Sequence, residues 1–220
     1  MWCYWPLIVL SIDSPQTTVN RKGEVMKRLV LGLMFFLIPL VGWSQESVQL
    51  KVVAHPRYFL ESEKQGVFLA GWSITNTMSG IKDNTNIFLG IGYAGKNWAI
   101  ENMVWKQWNP TGNQFHLDFR FTARPTSKIN LYLEGAPRLD KKGFYDFVIV
   151  EARVIKSLSL GVETENIHRP GQDVIGFGPR VAIPLPLNIL GAKPSIAVSR
   201  QFRNVGPNIT RIYTTFHWNF

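Results

Sequence analysis

Along most of this chain apolar residues recur at every second position, the repeat of a strand whose two faces meet different surroundings. In QFHLDFRFTAR, Phe115, Leu117, Phe119, Phe121 and Ala123 share one parity, and His116, Asp118, Arg120, Thr122 and Arg124 share the other. KINLYLEG sets Ile129, Leu131 and Leu133 against Lys128, Asn130, Tyr132 and Glu134. SLSLGVETE sets Leu158, Leu160 and Val162 against Ser159, Glu163 and Glu165, and NIFLGIGYA sets Ile87, Leu89, Ile91 and Tyr93 against Gly90, Gly92 and Ala94. The final segment, TRIYTTFHWNF, places Ile212, Thr214, Phe216, Trp218 and Phe220 on one side and Arg211, Tyr213, Thr215 and His217 on the other. Helical spacing is nowhere sustained.

The pattern predicts ten strands, over 67–76, 86–94, 97–107, 114–124, 127–136, 144–155, 157–166, 174–183, 194–203 and 210–220. Each is about 9–12 residues long, enough to cross a bilayer at a tilt and about twice the usual strand. Connections around Gly95-Lys96, Pro125-Thr126 and Lys156 are short. Those between them, such as TMSGIKDNT, WNPTGNQ and PRLDKKG, are longer and polar; PLPLNILGA breaks the alternation. Residues 45–66 are ambiguous. Val48, Leu50, Val52 and Ala54 alternate like a strand before Pro56 interrupts them. The segment is either a further hairpin, making twelve strands, or an element in or below a barrel. Either count is even and puts both ends of the barrel on one side. Pro179 falls inside a strand without an N–H to donate, which predicts a bulge.

The N-terminal region carries a different signal. Lys27 and Arg28 precede an apolar run from Leu29 to Val41, and Gly42 and Ser44 are small residues at a cleavage site before Gln45. Residues 26–44 therefore read as a secretory signal peptide. Residues 1–25 are then upstream sequence beyond the true start at Met26, since Arg21–Glu24 can be encoded by a purine run resembling a ribosome-binding site. The exported chain, Gln45–Phe220, has 20 basic and 13 acidic residues and a net charge of about +7, with no basic run of the nucleic-acid-binding kind. Export makes nucleic acid an unsuitable partner. The single cysteine, Cys3, precedes the signal, so no disulfide or thiolate chemistry is expected in residues 45–220.

An apolar parity and a charged parity on long strands fit an all-β, antiparallel up-and-down transmembrane barrel over residues 67–220. In lipid every backbone group must be paired within the protein, so the sheet closes. Tyr93, Trp98 and Trp218 near one set of strand ends and Trp105, Trp108 and Tyr145 near the other suit the two bilayer interfaces, although Trp72 and Trp105 equally suit the interior. The last strand resembles the carboxy-terminal signature of bacterial outer-membrane β-barrel proteins, through Ile212, Phe216, Trp218 and the terminal Phe220. That resemblance implies export to the outer membrane of a Gram-negative bacterium, recognition of these four residues by the barrel assembly machinery, and short periplasmic turns opposite long extracellular loops. It implies no particular activity.

The charged parity then lines a lumen. Asp118, Arg120, Arg124, Lys128, Glu134, Glu151, Arg153, Glu163, Glu165, Arg180, Arg203 and Arg211 form the expected charge network, with Asp146 added near the outer rim. The outer part is mostly acidic and the periplasmic part mostly basic. Such charges either pair into a plug or leave a narrow polar conduit, so the leading function is porin-like or structural, as a monomer among outer-membrane lipid and lipopolysaccharide. The first alternative is a hydrolase with a rim site around His116 and Asp118, although two residues apart on a strand is about 7 Å, too far for a direct pair. The second is a secreted, soluble calycin-like barrel with the apolar parity inside. His168 is expected in a solvated loop, and His217 inside the lumen. No zinc or calcium spacing and no cofactor motif is present. The cations Lys82, Arg138, Lys141, Lys142 and Arg169 are candidate contacts for lipopolysaccharide phosphates.

Overall fold

The computed structural model describes residues 47–60, 65–78, 81–109, 112–137 and 143–220. They form eleven strands and, among the described residues, no helix: β1 (Ser47–Phe59), β2 (Gly66–Met78), β3 (Ile81–Ala94), β4 (Trp98–Asn109), β5 (Gly112–Ala123), β6 (Ile129–Pro137), β7 (Phe144–Ile155), β8 (Leu158–Arg169), β9 (Gln172–Pro184), β10 (Lys193–Arg203) and β11 (Ile209–Asn219). Neighbours in sequence pair antiparallel all the way round, and β1 closes the barrel against β11. The signal-peptide and upstream assignments, residues 1–44, lie outside the described residues.

The closing pair is parallel, from Ser47↔Ile209 to Arg57↔Asn219. The expected even count and fully antiparallel sheet are therefore corrected to eleven strands with one parallel seam. β1 begins at the end of the barrel opposite Phe220. The strand runs through Pro56 because the ladder to β2 skips that position, stepping from Ala54↔Ser73 to Arg57↔Ala70 without a change of register. Gly71 leaves room for the ring: a Cβ there would stand 3.3 Å from Pro56 Cγ. Pro179 is handled the same way. The ladder between β9 and β10 skips it, from Ser199↔Arg180 to Phe202↔Phe177, and the expected bulge is absent. Bulges occur instead at Asn76/Met78 and Arg153/Ile155.

The loop-length alternation is also corrected. At the end away from Phe220, residues 79–80, 110–111 and 170–171 are the whole of three connections. Most of TMSGIKDNT, WNPTGNQ and IHRPGQD is strand, because polar residues can also pair in a ladder, whereas most of PRLDKKG and NVGPNI lies between strands. Thr75↔Thr85 and Asn76↔Asn84 continue the hairpin, and Asn76 Nδ2 donates to Asn84 Oδ1 at 2.6 Å. The longest described connection, 185–192, is at the Phe220 end. It turns on Leu190 and Gly191, both at positive φ, and Trp218 Nε1 donates to Leu190 O at 3.1 Å.

The parities fall as expected. Leu89, Ile91, Val104, Phe115, Leu117, Phe119, Leu160, Val162 and Phe177 are exposed on the outer surface. Asp118, Glu163, Glu101 and Arg211 are among the most buried side chains of the molecule. Their strands alternate between these two environments, so burial is inverted relative to an ordinary soluble domain. Inside, an apolar cluster of Phe59, Phe68, Trp72, Phe88 and Met103 fills the β1–β4 side. Glycine makes that packing possible. At Gly92 a Cβ would lie 2.3 Å from the Phe68 ring, so a small residue on the inner parity gives the phenyl its place.

Candidate functional site: the charged lumen

Two ion-pair clusters and a histidine cluster organise the interior. In the first, β8 supplies Glu163 and Glu165 on its inner parity. Glu163 Oε1 accepts from Ser199 Oγ (3.0 Å), Gln201 Nε2 (3.0 Å), Arg211 Nη1 (3.1 Å) and the Tyr213 hydroxyl (2.7 Å). Its Oε2 accepts from Arg180 Nη1 at 2.8 Å, and Arg180 Nε also donates to Glu151 at 2.7 Å. Glu165 binds Arg211, lies 3.4 Å from Arg203 Nη2, and accepts from the Tyr145 hydroxyl at 3.1 Å. One fully buried carboxylate thus serves three other strands, β9, β10 and β11. Burial of so many charges is tolerable because each carboxylate is paired and hydrogen-bonded.

The second cluster lies on β5 and β6. Arg120 donates to Asp118 Oδ1 at 2.6 Å and reaches Glu134 at 3.4 Å, while the Tyr132 hydroxyl donates to Glu134 at 2.7 Å. The guanidinium is sandwiched between Trp72 and Phe88, 4.2 Å from each ring centroid. A planar cation between two aromatic faces keeps its in-plane N–H groups free for the carboxylates.

The third cluster sits across the parallel seam toward the Phe220 end. His55 Nδ1 lies 3.0 Å from His217 Nδ1, and the His55 ring stacks on Trp72 at 3.6 Å. Glu101 takes the Trp72 indole N–H at 2.6 Å and binds Arg57, with His55 Nε2 3.2 Å away. His217 lines the interior as expected; His55, Arg57 and Glu101 were not in the expected network. Lys51, His55 and Arg57 sit in the segment left ambiguous at Pro56. Glu101 sits in a strand whose outward Asn102 blurs the alternation.

Of the expected network, Asp118, Arg120, Glu134, Glu151, Arg153, Glu163, Glu165, Arg180, Arg203 and Arg211 face inward. Arg124 lies just past β5 and lines the cavity mouth. Lys128 is corrected: it is exposed in the 124–128 connection, which ends the strand before its side chain reaches the interior. Asp146 is also corrected. It is on the outward parity, where it accepts from Asn166 at 2.7 Å and lies 2.9 Å from His168 Nε2, with Asp173 3.3 Å from the other ring nitrogen. His168 therefore belongs to a surface cluster at the end of β8, not to a loop. Trp105 and Tyr145 point inward; Trp105 stacks on Phe88 and on His116 at ring distances of 5.1 and 4.4 Å. Tyr93, Trp98 and Trp108 are outward, as expected. The side chain of Lys82, and Arg138, Lys141 and Lys142, lie outside the described residues, while Arg169 is exposed. Both Asp118 oxygens accept from Arg120, at 2.6 and 3.4 Å, and His116 stacks on Trp105.

Between the clusters runs a cavity of about 1490 Å³, lined from both ends of the barrel: by Gln49, Asn84 and Gln107 at one end and by Asn97, Arg124 and Lys193 at the other. Such a space suits hydrated small solutes and offers amide, hydroxyl and charged groups along its wall. Among the described residues, no group of three His, Cys, Asp or Glu side chains is arranged to hold a metal ion. No family model, curated protein or solved structure matches this chain.

Proposed function

We propose that this chain is an outer-membrane β-barrel of the porin-like kind, whose polar lumen admits small hydrophilic solutes. The observation that carries the reading is the inversion of polarity. Among the described residues, 35 large apolar side chains are exposed, most of them on the outward parity of the strands, while carboxylates and guanidinium groups are buried inside. Water on the outer surface would make this arrangement costly on both sides of the sheet, since soluble monomers rarely expose apolar patches above a few hundred Å². Acyl chains make it favourable. Closure without an edge, strands of 9 to 14 residues and outward aromatics at both ends agree with it.

In this reading the Phe220 end faces the periplasm, Ile212, Phe216, Trp218 and Phe220 present an assembly signal on the lipid side, and the barrel is a monomer among lipid and lipopolysaccharide. A soluble calycin-like barrel would carry the opposite parities. A rim hydrolase at His116 and Asp118 is the less favoured reading, because the Asp118 carboxylate is committed to an ion pair with Arg120. The test is twofold. Heat-modifiable gel migration of membrane-extracted protein is the expected result; recovery as a soluble periplasmic protein would overturn the barrel reading. Ion current across a planar bilayer is expected from the folded barrel; none would overturn the conduit.

A further inference from the structure

The lumen is electrically unbalanced. Among the described residues the cavity is lined by ten lysines and arginines and by three glutamates. All three glutamates are engaged: Glu134 by Arg120, Glu151 by Arg180, and Glu165 by Arg211. Five of the cations line the cavity without an ion-pair partner among the described residues: Arg169 at the end away from Phe220, and Lys96, Arg124, Arg153 and Lys193 at the Phe220 end. The latter four come from successive places around that end: the 95–97 connection, the end of β5, the end of β7 and the start of β10.

Their positions are held by backbone. Arg124 N donates to Asn97 O at 2.7 Å, tying the end of β5 to the neighbouring turn, and Arg153 N donates to Lys128 O at 2.6 Å. Lys193 pairs with His217 across the β10–β11 ladder. The charges therefore stand on a closed rim, not on free tails. Like charges around a concave, low-dielectric wall focus their field into the opening and raise the local concentration of counter-ions. At physiological salt the Debye length is about 8 Å, so the field acts at the mouth rather than at a distance.

We propose that the Phe220 end of the lumen is an anion-collecting mouth, and that the solutes this barrel passes are small anions carrying phosphate or carboxylate groups. The inference rests on the conduit reading above and names its solute class. Neutral donors at the same end, from the side chains of Asn97, Asn130 and Thr215, suit the oxygens of such groups.

The test uses the full exported chain folded into a planar bilayer under a potassium chloride gradient. The reversal potential is expected to show chloride favoured over potassium by a factor on the order of ten at low salt. The combined Arg124→Glu, Arg153→Glu, Lys193→Glu variant is expected to reverse the sign while keeping heat-modifiable migration. Inorganic phosphate and citrate, added separately, are expected to block current from the Phe220 side only, and the stronger blocker identifies which anionic group is preferred. Cation selectivity in the unaltered barrel, or a variant with unchanged selectivity, overturns the inference and leaves the conduit standing. If no current flows, the conduit falls, and calorimetric titration of the detergent-folded barrel decides the mouth: phosphate or citrate binding lost in the triple variant supports it, and binding of neither overturns it.

Discussion

Glu163 on β8 accepts a hydrogen bond from Arg211 on β11 at 3.1 Å, across three intervening ladders. The pair spans the interior, so it holds the two walls of the barrel together independently of the backbone. Glu163→Ala leaves Arg180 and Arg211 facing each other without their shared carboxylate. It is expected to destabilise the barrel by about 3–5 kcal/mol, read by urea unfolding in lipid vesicles. Glu163→Ala combined with Arg211→Leu is expected to cost less than the two single changes added together. Strict additivity would show that the groups act separately.

Leu89, Val104 and Leu117 lie side by side on the outer face of β3, β4 and β5. Each is exposed, Leu89 by 65%. On a soluble surface Leu89→Arg would change stability by no more than about 0.5 kcal/mol. Facing the middle of a bilayer it is expected to cost about 2–4 kcal/mol. The same unfolding measurement distinguishes the two surroundings.

Phe220 N donates to Arg57 O at 2.9 Å, and Phe220 O accepts from Phe59 N at 3.1 Å. Deleting Phe220 removes both bonds and the ring; Phe220→Ala removes the ring alone. Two backbone bonds contribute about 2 kcal/mol together. On the proposed reading, in which the ring is part of an assembly signal, membrane insertion in cells is expected to fall for both variants. Refolded stability is expected to fall for the deletion and not for Phe220→Ala. Normal insertion of both would remove the assembly role.

Gly178 lies on the inner parity of β9, where an added Cβ would stand 1.6 Å from Arg200 O. That neighbour is backbone and has no rotamer to escape into. Gly178→Ala is expected to force β9 and β10 apart at the height of Glu163, costing at least about 1–3 kcal/mol. Weakened protection of β10 amides in hydrogen exchange would locate the damage; an unperturbed stability would show that the sheet yields there freely.

The features that were legible in the sequence are those encoded by local alternation. Phe115 to Phe121 and Leu158 to Glu165 show their inside and outside directly, because a period of two leaves each side chain only two directions. The charge network was legible for the same reason, and so was the basic character of the Phe220 end, through Arg124 and Arg153. Extending strands into polar hairpins was not legible. Asn76, Asn84 and Asn86 carry the composition of a loop, and their strand state depends on a partner a few residues away.

Sequence alone determined that this is an all-β chain of long two-faced strands, with one face apolar and one charged, since that information is carried by side-chain type and spacing. Closure decided the rest. The eleventh strand and its parallel seam follow from β1 finding β11, a pairing separated by 162 positions at His55 and His217 that no local pattern reports. Closure also decided which charges meet. Glu163 gathers Arg180, Arg211 and Tyr213 from two other strands because a closed barrel brings distant strands to one axis, and it left Lys96, Arg124, Arg153 and Lys193 on a rim where no described carboxylate reaches them.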